Sequence, residues 1–311
     1  MARGIIKMSK VFIGIISYLG KDVPFRESRV QMHQKQLKDI SDDFQYMKNE
    51  CSETEVPIIR IEQEWDDEVK EQISPYETDL KIESVETPRL NPGAARNILL
   101  KKLYESDNDW MICSDDDHWL YPKYKGVELI WDLNKGKDGY TNQMLKQGIG
   151  FSAFPAYWEG YQKDVNAWGK SATHWLFTKT KHPGAMPLCA IPNIKKYFGI
   201  EIYFNENTDC FSFQAPPEDL QFYIDWLNNG FKWMDSMCMI AKSEGNLDHS
   251  SLFESREYRK TRDANVKIWR NNYLKNLFPK RPELWKFSEF SKRRNNIKMI
   301  EIKRFIYKKG E

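Results

Sequence analysis

The sequence predicts an α/β domain in which a mostly parallel sheet is flanked by helices. Three short apolar runs, Val11–Ile16, Val56–Ile61 and Trp110–Cys113, alternate with two segments that suit helices. The order strand, helix, strand, helix, strand is typical of parallel strands joined by right-handed crossovers. The chain has 311 residues, of which 41% are apolar and 14% aromatic, and this is enough to bury a full core.

The first predicted strand and helix open this pattern. Val11–Ile16 is a continuous apolar run, as expected for a strand that is covered on both faces. Ser17 and Tyr18 follow at its carboxyl end. Arg26–Ile40 contains neither glycine nor proline and suits a helix, although its apolar stripe is thin. Val56–Ile61 predicts the second strand, and an acidic connection punctuated by prolines leads on from it.

The second crossover begins at Pro92 and Gly93, which are typical of the start of a helix. The apolar residues of this helix recur at helical spacing, and they are Ala94, Ala95, Ile98, Leu99 and Leu103. Trp110–Cys113 predicts the third strand, and Ser114 and the aspartates Asp115–Asp117 follow it directly. Because parallel sheets bind ligands at the carboxyl ends of their strands, we expect these aspartates at a ligand-binding edge.

The second half of the chain has a less regular pattern. Residues 148–181 are rich in glycine and aromatic side chains and indicate no clear element. Ala190–Phe198 indicates a short strand and a turn. Glu218 and Asp219 open a helix that Gly230 is placed to end. The expected apolar stripe of this helix is Leu220, Tyr223, Ile224 and Leu227.

The C-terminal part is charged and is predicted to be helical from about Ser255. Between Lys280 and Lys309, eleven lysines and arginines accompany three acidic residues. This region is therefore locally basic, although the formal net charge of the whole chain is only +2. We expect a main domain over residues 9–254 and a basic helical extension over residues 255–311.

The composition argues against several classes of protein. The five cysteines contain no CxxC pair, which disfavours a zinc site and a disulfide framework and fits a reducing cytosol. No apolar stretch approaches the roughly 18 residues that a membrane span needs. The sequence therefore predicts a cytoplasmic protein without a transmembrane segment. The cysteines are Cys51, Cys113, Cys189, Cys210 and Cys238.

Asp115, Asp116 and Asp117 form the strongest chemical motif. Three adjacent carboxylates at the end of a buried strand repel one another, so we expect a cation to neutralise them. Their oxygen ligands favour Mg²⁺ or Mn²⁺, which leave coordination positions for phosphate oxygens. Since alternate side chains of an extended segment share a face, Asp115 and Asp117 can address one ion while Asp116 points elsewhere. An acidic, solvated turn is the alternative interpretation.

Arg96 and the pair Glu218 and Asp219 are the next candidates. Gly93 permits close backbone approach at a helix start where free N–H groups favour an anion, and Arg96 could bind a phosphate or a carboxylate. An ordinary helix start with a solvated arginine is the alternative. Asp219, beside Glu218, could be a general base that removes a proton from an attacking hydroxyl. Two carboxylates in a first helical turn are also ordinary partners of the helix dipole.

Four histidines have weaker claims to a function. His249 could be a further metal ligand or a phosphate contact, although a lone histidine is more often neither. His118 directly follows the aspartates and is expected to pack beside them. His174 and His182 flank the aromatic stretch and could line a sugar or acceptor site.

In this order and at this spacing, the motifs resemble those of GT-A glycosyltransferases. The resemblance covers roughly residues 10–250, and it rests on the strand ending near Ser17, the helix start Gly93–Asn97, the cluster Asp115–Asp117, and the helix from Glu218 to Gly230. It implies a GT-A-like fold, a nucleotide diphosphate sugar as donor (a UDP-sugar), and Mn²⁺ or Mg²⁺ as cofactor. The acidic residue that usually closes the second strand in this family is ambiguous here, because Glu62 and Glu64 both fit.

The resemblance also implies which residues bind the donor. Ser17 and Tyr18 would lie near the nucleotide base, and Arg96 near the nucleotide or the diphosphate. Asp115 would contact the ribose and the metal, and Asp116 is counted with the donor-binding residues.

The metal and the base follow from the same resemblance. Asp117 would bind the metal together with Asp115. The metal would act as a Lewis acid on the leaving diphosphate. Asp219, with Glu218 beside it, would be the base of an inverting transfer.

A narrower resemblance concerns the acceptor. The helix at Glu218, the segment Gly245–Ser251 and the lysine-rich character of the chain look like bacteriophage enzymes that transfer glucose or arabinose to 5-hydroxymethylcytosine in DNA. This implies double-stranded DNA as a partner and the host cytoplasm as location. Lys292–Arg294 and Lys303–Arg304 could neutralise phosphates, although a solvated cationic helix is equally compatible. Trp158 or Trp168 could then stack on a flipped base.

Three alternatives remain open from the sequence. The first keeps the donor chemistry but uses a polysaccharide or lipid-linked acceptor, with the basic tail on an anionic membrane surface. The second is a metal-dependent nucleotidyltransferase, which also joins a carboxylate-bound metal to a nucleotide. The third is a catalytically dead DNA-binding module that retains the fold.

Overall fold

The computed structural model describes most of the predicted main domain. The described residues are 10–23, 25–51, 56–121, 124–134, 140–155, 176–179, 188–206, 218–243 and 303–304.

Seven α-helices and ten strands are present in this described part. The helices are α1 (Arg26–Cys51), α2 (Asp67–Ile73), α3 (Pro92–Glu105), α4 (Lys125–Asn134), α5 (Tyr140–Leu145), α6 (Ile194–Phe198) and α7 (Glu218–Asn228), and a 3₁₀ turn (Ser74–Tyr76) follows α2. The strands are β1 (Val11–Tyr18), β2 (Ile58–Gln63), β3 (Ile82–Thr87), β4 (Trp110–Asp115), β5 (His118–Tyr121), β6 (Ile149–Pro155), β7 (Leu176–Lys179), β8 (Leu188–Pro192), β9 (Lys232–Ser243) and β10 (Lys303–Arg304).

All ten strands belong to one mixed sheet. Its order is β10-β7-β9-β6-β8-β4-β1-β2-β3, and β5 is attached to β9. β1 pairs in parallel with β2 and with β4, and β2 pairs in parallel with β3. Of the described strands, β5, β7 and β8 run against the direction of β1. The prediction of a mostly parallel sheet flanked by helices is therefore confirmed.

Two hydrophobic clusters cover the two faces of the sheet. On one face, Val11 and Ile13 of β1 pack in a cluster with residues of α1 and α4. On the other face, Phe12 of β1 joins a cluster formed with α3 and α7. Because successive side chains of a strand point to opposite faces, β1 is apolar throughout and buried on both sides. The apolar run of the sequence is thus explained by its central position.

Helix α1 is longer than predicted and has an unusual buried face. The prediction ended at Ile40, whereas the helix continues to Cys51. Its buried face includes polar side chains, namely His33, Gln36 and Asp43, alongside the apolar ones. These polar residues occupy positions at helical spacing, and for this reason the apolar stripe of the sequence is thin.

Other parts of the prediction need correction. The connection before Pro88 contains α2 and the parallel strand β3, neither of which was predicted. In α7 the large buried side chains are Phe222 and Trp226, next to Tyr223 and Leu227, so the apolar face is broader than predicted. The end of this helix is confirmed, since Gly230 has φ +85° and its N–H donates to the carbonyl of Leu227.

Only two residues of the predicted C-terminal extension are described. Lys303 and Arg304 form β10, which pairs antiparallel with Leu176 and Phe177 of β7. At these two positions the helical prediction is wrong, because the pair completes one end of the sheet. Among the described helices, none combines the length and the apolar character needed to span a membrane.

Candidate functional site

The three aspartates lie where β4 ends and β5 begins. β4 ends at Asp115. Asp116 and Asp117 then make a two-residue turn, and β5 starts at His118. Ligand atoms of Asp115, Asp117 and His118 all lie within 4.8 Å of one another. This spacing fits a single cation, and the turn stands at the carboxyl end of a strand that is parallel to β1 and β2.

Asp116 faces the interior of the protein. Its carboxylate accepts a hydrogen bond of 2.7 Å from Ser17 Oγ, and Arg29 Nη2 lies 3.4 Å from the other oxygen. Burial raises the pKa of Asp116 to about 6, because the loss of water outweighs the attraction of Arg29, and the neighbouring Asp117 adds to the increase. The middle carboxylate is thus directed away from the two that flank it.

Asp117 and His118 are direct partners. His118 Nδ1 contacts the Asp117 carboxylate. The side chain of His118 is 7% exposed, and that of Asp117 is 10% exposed. Burial alone would raise the pKa of Asp117, but the charge and hydrogen bond of His118 outweigh it and lower that pKa. Burial would lower the pKa of His118, but the Asp117 carboxylate outweighs it and raises that pKa. The prediction that His118 packs beside the aspartates is confirmed.

Arg96 approaches the turn from helix α3. Its Nη2 donates to Asp115 Oδ1 at 2.8 Å, and its side chain is only 5% exposed. The guanidinium also lies over the Phe204 ring, 5.5 Å from its centroid. The sequence left open whether Arg96 binds a phosphate or a carboxylate. In the described structure it binds a carboxylate, that of Asp115.

The start of α3 is occupied by the protein's own backbone. Asn91 caps the helix by accepting from Ala94 N at 2.8 Å. A Cβ on Gly93 would lie 2.8 Å from the carbonyl oxygen of Asn205, so glycine permits the segment after α6 to pass here. Asn97 holds the same segment through bonds to both the N–H and the carbonyl of Phe204. The close approach that Gly93 permits is therefore made by a chain segment.

Ser17 and Tyr18 end β1 beside the turn. Tyr18 donates to the Asp22 carboxylate, and Arg89 stacks over its ring at 4.7 Å. Burial and the bond to Asp22 raise the pKa of the Tyr18 hydroxyl, although Arg89 opposes the increase.

A cleft of about 230 Å³ opens at the carboxyl ends of β2 and β3, and it is lined by Glu62, Glu64, Trp65, Glu86, Thr87 and Pro88. The two acidic residues left ambiguous by the sequence differ here. Glu62 is buried and ion-paired with Arg60 at 2.6 Å, whereas Glu64 is exposed and has φ +54°. Glu64 is therefore the one with a carboxylate open to the solvent.

The sequence did not identify the residues that support the turn from α1. Gln36 Nε2 donates to the carbonyls of Asp115 and His118, each at 2.7 Å. His33 Nδ1 lies 2.9 Å from Gln36 Oε1, and His33 Nε2 lies 3.4 Å from Arg60 Nη1. Of these three residues, Arg60 of β2 is the one whose position in the sequence is unusual, because it is a charged residue inside an apolar run.

Several predicted site residues lie outside the part of the chain that the structure describes. Helix α7 begins at Glu218, but the side chains of Glu218 and Asp219 lie outside the described part. His249 is also outside the described residues. The same holds for the other aromatic-loop candidates, which are Trp158, Trp168, His174 and His182.

Comparisons with known proteins bear on the fold. No protein-family model matches the sequence, and no curated protein matches it. Among solved structures, the chain is similar to S. aureus TarS 1–349 in complex with UDP-GlcNAc, with 15% identity and a TM-score of 0.50, over 92% of this chain and 74% of that chain. At this identity the likeness shows the fold, which is GT-A-like.

Two further structures are more distant. Another S. aureus TarS structure matches with 14% identity and a TM-score of 0.46, over 84% of this chain and 40% of that chain. Glucosyl-3-phosphoglycerate synthase from Mycobacterium tuberculosis, in complex with Mn²⁺, UDP and phosphoglyceric acid, matches with 11% identity and a TM-score of 0.41, over 82% of this chain and 78% of that chain.

Proposed function

We propose that this chain is a metal-dependent glycosyltransferase that takes a sugar from a UDP-sugar donor. The observation that carries the proposal is the grouping of Asp115, Asp117 and His118, whose ligand atoms lie within 4.8 Å of one another at the carboxyl edge of a GT-A-like sheet. The similar TarS structure contains UDP-GlcNAc, which supports a uridine diphosphate sugar as the donor class.

The chemistry of these residues fits a hard divalent cation. Asp115 and Asp117 offer carboxylate oxygens, and the imidazole of His118 suits Mn²⁺ better than it suits Mg²⁺. Asp115 and Asp117 would hold the ion, with His118 as a third ligand or a partner of Asp117. When bound, such an ion supplies Lewis-acid neutralisation of the leaving diphosphate.

Protein side chains supply the remaining functions. Arg96 brings a permanent positive charge to Asp115, and a guanidinium at that position can also bind a donor phosphate oxygen. Ser17 and Tyr18 end β1 at the same edge and are assigned to the nucleotide side of the site. Asp219, with Glu218 beside it, is assigned as the base that deprotonates the acceptor hydroxyl, and His249 as a further metal ligand.

The acceptor proposal has two sources, the resemblance to bacteriophage DNA-modifying enzymes and the charge of the C-terminal region. Eleven lysines and arginines among residues 280–309, against three acidic residues, favour a polyanionic partner. Together with that resemblance, which implies transfer of glucose or arabinose, this charge leads us to favour DNA that contains 5-hydroxymethylcytosine. A polysaccharide acceptor fits the same donor site and is the second candidate, because nothing in the acidic turn selects between the two.

The donor chemistry is tested by product analysis. The full chain is incubated with Mn²⁺ and a panel of nucleotide sugars, and release of the nucleoside diphosphate is measured. We expect UDP release by the wild type and a loss of at least 100-fold in Asp117→Asn, while the exposed Asp107→Asn remains active. Release of pyrophosphate instead indicates a nucleotidyltransferase, and no release from any donor contradicts the proposal.

The acceptor needs a separate experiment. Hydroxymethylated DNA, unmodified DNA and a polysaccharide are each offered with the active donor, and the products are weighed by mass spectrometry. A sugar-sized mass gain on hydroxymethylated DNA alone supports the favoured acceptor. A gain on the polysaccharide alone replaces it with the second candidate. DNA binding without UDP release under any condition identifies a dead binding module.

A further inference from the structure

The acidic turn is attached at both ends to one side chain of α1. Gln36 is 2% exposed, and its Nε2 donates to the carbonyl oxygens of Asp115 and His118. These two carbonyls bracket the turn formed by Asp116 and Asp117, so a single amide fixes the separation of its ends. Ser114 also holds the two ends of the turn together, because its Oγ donates to the same His118 carbonyl at 2.8 Å.

No hairpin ladder performs this task in the described part of the sheet. β4 pairs with β1 and β8, whereas β5, which is separated from β4 by only two residues, pairs with β9. In an ordinary hairpin the cross-strand hydrogen bonds fix the geometry of the turn. Here the two strands diverge, so the conformation of the turn depends on side-chain donors such as Gln36.

The orientation of the Gln36 amide is fixed by a second contact. Arg60 is a permanent donor and lies 3.4 Å from His33 Nε2, so that nitrogen accepts and Nδ1 carries the proton. His33 Nδ1–H then donates to Gln36 Oε1 at 2.9 Å, which leaves the amide N–H groups for the turn. Burial and the charge of Arg60 lower the pKa of His33 to about 3, so the ring is neutral.

We propose that Gln36 is a positioning residue of the metal site. It holds the turn in the conformation in which Asp115, Asp117 and His118 present ligand atoms to one divalent cation. The inference rests on the proposed function, since that function supplies the cation. Groups that orient metal ligands from outside typically contribute 10-fold to 100-fold to metal affinity, because otherwise the ligands must be ordered at the moment of binding.

The test compares two glutamines of the same helix. Gln36→Met keeps the length of the side chain and removes both donors. Gln34→Met is the matched control, because Gln34 lies near the surface and donates only to the Gln72 carbonyl among the bonds described. The dissociation constant for Mn²⁺ is measured on the full chain, without nucleotide, from the electron paramagnetic resonance signal of free Mn²⁺. We expect about a 10-fold increase or more in Gln36→Met and no change in Gln34→Met.

Kinetics separate positioning from general damage. In Gln36→Met the concentration of Mn²⁺ needed for half-maximal rate should rise, while kcat at saturating Mn²⁺ recovers most of the wild-type value. A structural defect alone would lower the thermal midpoint and leave the Mn²⁺ constant unchanged. His33→Phe is the second variant, because it keeps an aromatic ring at this position and removes the hydrogen bond that orients Gln36. Its Mn²⁺ dissociation constant is measured in the same way, and it tests the positioning role if Gln36→Met does not fold.

The outcomes distinguish the two levels of the proposal. If the wild-type chain binds no Mn²⁺, the proposed metal site is wrong and the inference fails with it. If the wild type binds Mn²⁺ and the folded Gln36→Met or His33→Phe chain binds it equally well, the positioning role alone is overturned.

Discussion

Ser17, the last buried residue of β1, donates a hydrogen bond of 2.7 Å to Asp116, the middle carboxylate of the acidic turn. The bond connects the ends of two neighbouring parallel strands, and it directs Asp116 inward. Asp115 and Asp117 keep side chains that are 31% and 10% exposed, respectively, against 4% for Asp116. Of three adjacent aspartates, Asp116 therefore makes an interior contact, whereas Asp115 and Asp117 are placed to bind a cation.

Asp116→Asn should fold and should retain Mn²⁺ binding, whereas Asp117→Asn should lose it. An amide at position 116 can accept from Arg29 and donate to Ser17 Oγ, and it avoids burying a charge. Asp116→Ala leaves both partners without their bond and should cost about 1–3 kcal/mol in the free energy of unfolding. Urea unfolding and Mn²⁺ titration measure the two effects. Loss of Mn²⁺ binding by a well-folded Asp116→Asn chain would assign Asp116 to the binding surface instead.

Asp219→Asn should abolish sugar transfer and leave donor binding largely intact. A general base acts on the acceptor hydroxyl and typically contributes 10²-fold to 10⁴-fold to the rate, so kcat for transfer should fall by about that factor. The KM for the donor should stay near its wild-type value. Glu218→Gln, which removes the neighbouring carboxylate, should lower the transfer rate by a smaller factor. A near-normal transfer rate in Asp219→Asn would show that the base lies elsewhere.

Asp43→Asn should change how stability depends on pH. Asp43 is 2% exposed, and burial raises its pKa from 3.8 to about 7, although the bond from Trp119 opposes the increase. Between these two values the folded chain binds more protons than the unfolded chain, so the contribution of Asp43 to stability falls as the pH rises. Relative to Asp43→Asn, the wild type should therefore lose about 4 kcal/mol between about pH 4 and pH 7.

The measurement for Asp43 is a series of urea unfolding curves across this pH range. The exposed Asp107→Asn variant is the control for removal of a carboxylate and should change stability by no more than about 0.5 kcal/mol. A constant difference between wild type and Asp43→Asn would mean that Asp43 titrates normally.

Gly93→Ala should destabilise the chain by about 1–3 kcal/mol, because overpacked sites force backbone shifts of this cost. The new Cβ would lie 2.8 Å from the Asn205 carbonyl oxygen, which belongs to the backbone and cannot rotate away. Lys101→Ala, at an exposed position of the same helix, should change stability by no more than about 0.5 kcal/mol. Thermal or urea unfolding compares the two. Equal stabilities would mean that the segment at Asn205 moves freely.

The central elements of the fold were predictable, and one edge strand was not. β1 and β4 are continuous apolar runs because helices cover both of their faces, and α3 starts at Pro92 as its sequence indicates. β3 lies at the end of the sheet, where all of its side chains are exposed or only half-buried. Its sequence is therefore acidic and lacks an apolar run. A search for apolar runs identifies strands by their burial, and so it misses a strand that pairs without being buried.

The candidate site was predictable only in part. The alternation of side chains in an extended segment correctly anticipates that Asp116 points away from its neighbours. His33 and Gln36 could not be found in this way, because polar residues on a helix normally face the solvent. Their burial depends on the turn that packs against them, which comes some eighty residues later in the chain. Contacts of this range are not visible in local sequence patterns.

The place of β8 in the sheet has a consequence for synthesis on the ribosome. β8 spans Leu188–Pro192, yet it pairs with β4, which ends at Asp115. While the intervening residues are being made, β4 has an open edge whose backbone N–H and C=O groups await a partner. Such edges promote aggregation of nascent chains. This edge of β4 therefore lacks the partner that it has in the folded sheet until Leu188–Pro192 has been synthesised.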